Sequence, residues 1–124
     1  MHVLLVDDEE ELASALAERL NMRDIETDWV TTGEEALEKV KTTTYDLAVL
    51  DMKMPRISGL ELKAQLQAHS PQLKFIFVTG YVSERDFEEV ACQAGEECYL
   101  VKPVDIKLLI ERMQDLMGGP GGEA

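Results

Sequence analysis

The chain has only two cysteines and two histidines in 124 residues, and no apolar run approaches membrane-spanning length. Cys92 and Cys98 are too few, and lie in too apolar a setting, for a disulfide framework or a zinc site; they read as reduced packing thiols. His2 and His69 stand apart at a strand start and a helix end, so neither is expected to pair with a nucleophile or a metal. Basic residues are also scarce: 12 against 25 acids give a net charge of −13. Such a surface repels a phosphate backbone, which argues against direct nucleic-acid binding and for basic protein surfaces or metal ions as partners. Met1 leads directly into an apolar strand rather than a basic segment followed by an apolar one, so a cytoplasmic protein with no membrane association is expected. The length suits one domain, 1–117, with a substantial single core. Gly118, Gly119, Pro120, Gly121 and Gly122 cannot continue a helix, so 118–124 is expected to be a flexible tail.

What is present is an alternation of strand and helix signals, repeated five times. Val3 to Val6 is apolar and runs into Asp7, Asp8, Glu9, Glu10 and Glu11. Asp8 with Glu11 fits a capping box, and Leu12, Leu16 and Leu20 with Ala13 and Ala17 give a helical apolar face. Ile25 to Val30 alternates as a second strand; Thr32 and Glu35 cap a short helix carrying Ala36, Leu37 and Val40. The third strand, Asp46 to Leu50, ends at Asp51. Ser58 and Glu61 open a third helix with Leu60, Leu62, Ala64, Leu66 and Ala68, which Ser70 and Pro71 end. Phe75 to Val78 is the fourth strand, followed by Thr79 and Gly80. Ser83 and Asp86 open a fourth helix that runs to a Gly95 C-cap. Cys98 to Val101 is the fifth strand, before Lys102 and Pro103, and Asp105 caps a last helix through Ile106, Leu109, Ile110, Met113 and Leu116.

Near-continuous apolar strands separated by helices imply a parallel sheet covered on both faces. The expected fold is α/β, a flavodoxin-like doubly wound five-stranded parallel sheet in the order 2-1-3-4-5 with five helices. In that order the ends of strands 1, 3, 4 and 5 adjoin, bringing together Asp7, Asp8, Asp51, Thr79 and Lys102. Ligands bind in the crevice outside those carboxyl ends. Three crowded carboxylates repel one another, and a divalent cation removes the conflict. Oxygen donors without His or Cys point to a hard ion, and a few carboxylates sharing it with phosphate and water is the usual Mg2+ arrangement. Lys102 and Thr79 add a positive charge and a hydroxyl donor for an anion. These are the parts for phosphoryl transfer to a carboxylate. Met52, Met54, Met113 and Met117 read as packing residues.

On the segments Leu5-Val6-Asp7-Asp8-Glu9, Asp46 to Met52 with Met54-Pro55 and Gly59, Val78-Thr79-Gly80, Ala94-Gly95 and Tyr99 to Pro103, the chain resembles the receiver domain of two-component response regulators, of the single-domain chemotaxis type. The resemblance covers residues 2 to 117. It implies Asp51 as the phosphoacceptor, and a sensor histidine kinase or phosphotransfer protein as donor. It also implies Mg2+ held by Asp8, Asp51 and the Lys53 backbone carbonyl, with Asp7 acting largely through water. Thr79 and Lys102 would hold the phosphoryl oxygens, and Lys102-Pro103 would be a cis peptide. Such a domain catalyses its own phosphorylation and dephosphorylation without turning over a separate substrate. Thr79 and Tyr99 are then the switch residues, and the surface of helix 4, strand 5 and helix 5 changes shape to dock a downstream protein or a second copy of the chain. Lys53 and Tyr81 are expected to tune how fast water reaches the acyl phosphate.

Rival classes fit less well. A haloacid dehalogenase-type phosphohydrolase needs a second acid two residues beyond Asp51, where this chain has Lys53. A flavodoxin-like electron carrier needs a hydroxyl- and glycine-rich loop where this chain has consecutive acids. The remaining alternative is a receiver-like protein-binding module that works without phosphorylation.

Overall fold

A computed structural model describes residues 1–52, 54–80, 92–93, 97–102 and 104–117, with the side chains of Thr79, Cys92, Gln93, Glu97, Cys98, Tyr99 and Val101 outside that description. The elements are β1 (His2–Val6), α1 (Glu10–Asn21), β2 (Glu26–Val30), α2 (Gly33–Thr42), β3 (Leu47–Asp51), α3 (Gly59–His69), β4 (Lys74–Thr79), β5 (Cys92–Gln93), β6 (Glu97–Val101) and α4 (Ile106–Leu116). The helix expected from Ser83 and Asp86 falls mainly on residues 81–91, outside the described residues, so α4 is the helix expected as the fifth.

Four strands lie parallel in the order β2-β1-β3-β4, as the alternation implies. Beyond β4 runs β6, also parallel, and β5 pairs antiparallel with β6 at the edge. That last pairing corrects the expected fourth helix, whose run to Gly95 included Cys92 and Gln93. Their extended backbone instead satisfies part of the open hydrogen-bonding edge of β6.

Successive residues of a strand face opposite sides, and here both sides are covered. Val3 and Leu5 of β1, Leu47 and Val49 of β3, and Ile76 and Val78 of β4 pack with Ala13, Leu16, Ala17 and Leu20 of α1 and with Ile106, Leu109, Met113 and Leu116 of α4. Leu4, Val6, Ala48, Leu50, Phe75 and Phe77 face the other way, against Ala36 and Val40 of α2 and Leu62 and Leu66 of α3. Burial on both faces is why these strands read as unbroken apolar runs instead of alternating ones. Parity also sets the site: Asp7 and Asp51 continue the odd-numbered rows of β1 and β3, on the side of α1 and α4.

Helix starts follow their sequence signals unevenly. Ser58 and Glu61 form the full capping box of α3, and Asp105 accepts from the backbone N–H groups of Lys107 and Leu108 to cap α4. Thr32 accepts from Glu35 N, but the Glu35 carboxylate accepts from Thr31 N, one residue early, so that box is half made. The Asp8–Glu11 box is not formed. The N-cap of α1 is Glu9, and its side chain makes no cap hydrogen bond. The chain leaves β1 one residue further on than a box at Asp8 requires, and Asp7 Oδ1 accepts from Glu9 N in its place. On α3, Leu62 and Leu66 are buried while Leu60, Ala64 and Ala68 face solvent, so only one of its two apolar rows meets the core. Met113 is buried and Met52 and Met54 pack on the core, whereas Met117 is exposed and is no packing residue.

Candidate functional site

The sheet register brings the carboxyl ends of four strands to one level. Val6 pairs with Leu50, Asp51 with Val78, and Thr79 with Val101. Asp7 therefore leaves β1 beside Asp51, and Lys102 leaves β6 just beyond Thr79.

Asp51 closes β3 and is 4% exposed; Asp7 is 5% exposed, whereas Asp8 faces solvent. One carboxylate oxygen from each of Asp7, Asp8 and Asp51 lies within 4.8 Å of the others. Lys102 reaches into this group: its Nζ is 2.9 Å from Glu9 Oε1, 3.1 Å from Asp7 Oδ2 and 3.4 Å from Asp51 Oδ2. Burial by itself would lower the pKa of this ammonium, but hydrogen bonds to Glu9 and Asp7 and the charges of Asp7 and Asp51 outweigh it and raise the pKa. Lys102 is thus held as a cation.

The backbone under Asp51 is clamped as well. Met52 N donates to Val78 O, and Gly59 N, at the start of α3, donates to Met52 O. A Cβ on Gly59 would come within 2.8 Å of Asp51 O and 3.0 Å of Met52 Cα. Only glycine lets α3 approach the strand end this closely, which gives Gly59 a steric role in seating the acid.

Of the residues expected at the site, Asp7, Asp8, Asp51 and Lys102 come together. Thr79 ends β4 and Tyr99 lies in β6 opposite Phe77, in both cases as backbone only. Lys53, Tyr81 and Pro103 lie outside the described residues. The donor set fits a hard divalent cation: three carboxylates converge with no His or Cys among them.

Two features escaped the sequence reading. Glu9 makes the shortest contact to Lys102, although nothing in a run of five acids singles it out. His2 is not isolated. Its Nε2 lies 3.1 Å from Asp28 Oδ2, which also accepts from Tyr45 Oη at 2.6 Å, and the His2 and Tyr45 rings meet at 4.5 Å. His2 starts β1, Asp28 lies in the middle of β2 and Tyr45 precedes β3, a proximity visible only once the register is known.

The profile described as the response regulator receiver domain matches residues 3–114. The sensory transduction protein RegX3 of Mycobacterium tuberculosis is 35% identical over 121 residues, covering 98% of this chain and 52% of that protein. This chain spans about half the length of the curated relatives it matches. Among solved structures, a CheY-like receiver domain protein of Methanospirillum hungatei superposes with a TM-score of 0.78 at 30% identity, covering 92% and 90% of the two chains. The response regulator TrrA of Thermotoga maritima, solved in complex with Mg(2+)-BeF, gives a TM-score of 0.76 at 35% identity, covering 93% and 97%. With that profile matched over residues 3–114 and the acids at the ends of β1 and β3 meeting the lysine after β6, the chain belongs to the response regulator receiver domain family.

Proposed function

We propose that Asp51 accepts a phosphoryl group from a phosphohistidine on a sensor histidine kinase or phosphotransfer protein. The observation that carries this is a nearly buried carboxylate at the end of β3, packed against two further acids and one fixed ammonium. An Asp51 carboxylate oxygen attacks phosphorus; the phosphorus–nitrogen bond of the donor breaks, and its electron pair returns to the imidazole. The product is an acyl phosphate on Asp51. Lys102 carries the positive charge that meets the phosphoryl oxygens, and Thr79, ending β4, supplies a hydroxyl donor. Asp7, Asp8, Asp51 and the Lys53 carbonyl are the residues that would hold Mg2+, whose role when bound is to neutralise charge as the anion approaches. Water attack on phosphorus later breaks the bond to Asp51 and restores the carboxylate.

The fold that serves this reading is the full five-unit doubly wound arrangement in the order 2-1-3-4-5, with the fourth helix expected from Ser83 and Asp86. Output would pass through the surface formed by that segment, β6 and α4, with Thr79 and Tyr99 switching between two states as the phosphoryl group arrives. A downstream protein or a second copy of the chain would dock there. TrrA in complex with Mg(2+)-BeF supports the cation and the anion together at such a site. Intact-protein mass spectrometry with a small acyl-phosphate donor tests the acceptor. One added phosphoryl group, dependent on Mg2+ and absent in Asp51→Asn, is the expected result. No addition would turn the reading towards a module that works by protein contact alone.

A further inference from the structure

Building on the reading of Asp51 as acceptor, we propose that Glu9 is a positioning residue for Lys102: in the unphosphorylated protein its carboxylate occupies the contact on the ammonium that a phosphoryl oxygen takes over. Glu9, Asp7 and Asp51 all share Lys102 Nζ, at 2.9, 3.1 and 3.4 Å. An arriving anion must displace one of them, and the choice depends on what is left behind. Asp51 is itself the group that takes up the anion, so its contact passes to the phosphoryl oxygens with it, while the Asp7 side chain is 7% exposed and would lose its ammonium in a poorly hydrated place. The Glu9 side chain is 62% exposed, and water replaces the ammonium there at little cost. Glu9 is the contact that exchanges.

Its local structure agrees. Glu9 holds the N-cap position of α1, where a side chain ordinarily accepts a hydrogen bond from the helix backbone, and it makes none. Its N–H donates to Asp7 Oδ1 at 2.9 Å, while its carboxylate accepts from Lys102, 93 positions along the chain. One residue thereby ties the buried acid of β1 by its backbone and the ammonium after β6 by its side chain. The carboxylate is a built-in competitor for the anion-binding group.

Loss of that carboxylate has opposite consequences for two ligands. The anion loses a competitor on Lys102 and binds more tightly, by about two- to five-fold, the range an exposed ion pair spans. The cation loses a neighbouring negative charge and binds no more tightly than before. Calorimetric titration of Mg2+, followed by titration of beryllofluoride into the Mg2+-saturated protein, reads both in the wild type, Glu9→Gln and Glu10→Gln. Glu9→Gln is expected to gain anion affinity without gaining Mg2+ affinity, and Glu10→Gln, which removes the neighbouring charge, to match the wild type. A structural role for Glu9 would not produce that gain. Unchanged or weaker anion binding in Glu9→Gln, or an equal gain in Glu10→Gln, would overturn the role of Glu9 alone, provided the wild type binds both ligands. A wild type that binds neither would overturn the acceptor reading and this proposal together.

Discussion

The two ends of the sheet each carry a polar network, and they are built on different principles. At the amino end, His2, Asp28 and Tyr45 form a group in which donors and acceptors match: Asp28 accepts from the Tyr45 hydroxyl and lies against the His2 ring nitrogen, and His2 N donates to Asp46. Burial alone would raise the Asp28 pKa, but hydrogen bonds from Tyr45 and His2 prevail and lower it. Burial and the bond to Asp28 push the Tyr45 hydroxyl up. At the carboxyl end, Asp7, Asp8 and Asp51 converge, and Lys102 is the cation that meets them among the described residues. No buried polar side-chain atom among the described residues lacks a partner, so satisfaction of hydrogen bonds does not tell the ends apart. Arrangement does. At the amino end the Asp28 and Asp46 carboxylates are each met by a hydroxyl, a ring nitrogen or a backbone N–H, while at the carboxyl end one oxygen from each of three carboxylates lies within 4.8 Å of the others, a set that fits a divalent cation.

The largest effect that would sharpen this contrast is expected at Lys102. In metal-free protein, Lys102→Ala should cost about 2–3 kcal/mol, less than a fully buried pair because the lysine retains some exposure. Adding Mg2+ should restore most of that loss, as read by urea unfolding with and without the ion. Gly59→Ala comes next, at about 1–3 kcal/mol for the forced contact with the Asp51 backbone. Because the clash lies under Asp51, Mg2+ affinity should fall as well. Tyr45→Phe, at the other end, should cost about 1 kcal/mol through the lost bond to Asp28 and leave Mg2+ affinity unchanged. The smallest effect is the pH dependence of Asp28. With its folded pKa below the ordinary 3.8, its contribution is complete above that value and is lost as pH falls through the lower folded pKa. The stability difference between wild type and Asp28→Asn should therefore be flat above pH 3.8 and shrink in stronger acid, as followed by unfolding at stepped pH.

Much of the carboxyl end is legible in the sequence because strands buried on both faces leave an unmistakable boundary where charge begins. Asp7, Asp51 and Lys102 each stand at such a boundary. Glu9 is not legible in the same way, since its neighbours are acids too and only the folded arrangement of β1, β3, β4 and β6 shows which of them meets Lys102. The cap of α1 was misplaced for a related reason: Asp8 and Glu11 have the right spacing, yet the strand's exit sets where the helix begins. His2 looked solitary because its partners, Asp28 and Tyr45, lie 26 and 43 positions away. On α3, Leu60, Ala64 and Ala68 have helical spacing, and spacing cannot tell which of two rows faces the core.

The most direct test of the difference between the two ends is a Mg2+ titration followed by amide NMR. One bound ion that shifts resonances at Asp7, Asp8 and Asp51 and leaves His2, Asp28 and Tyr45 unmoved is the predicted result. Absence of binding, or shifts concentrated at the amino end, would contradict the account.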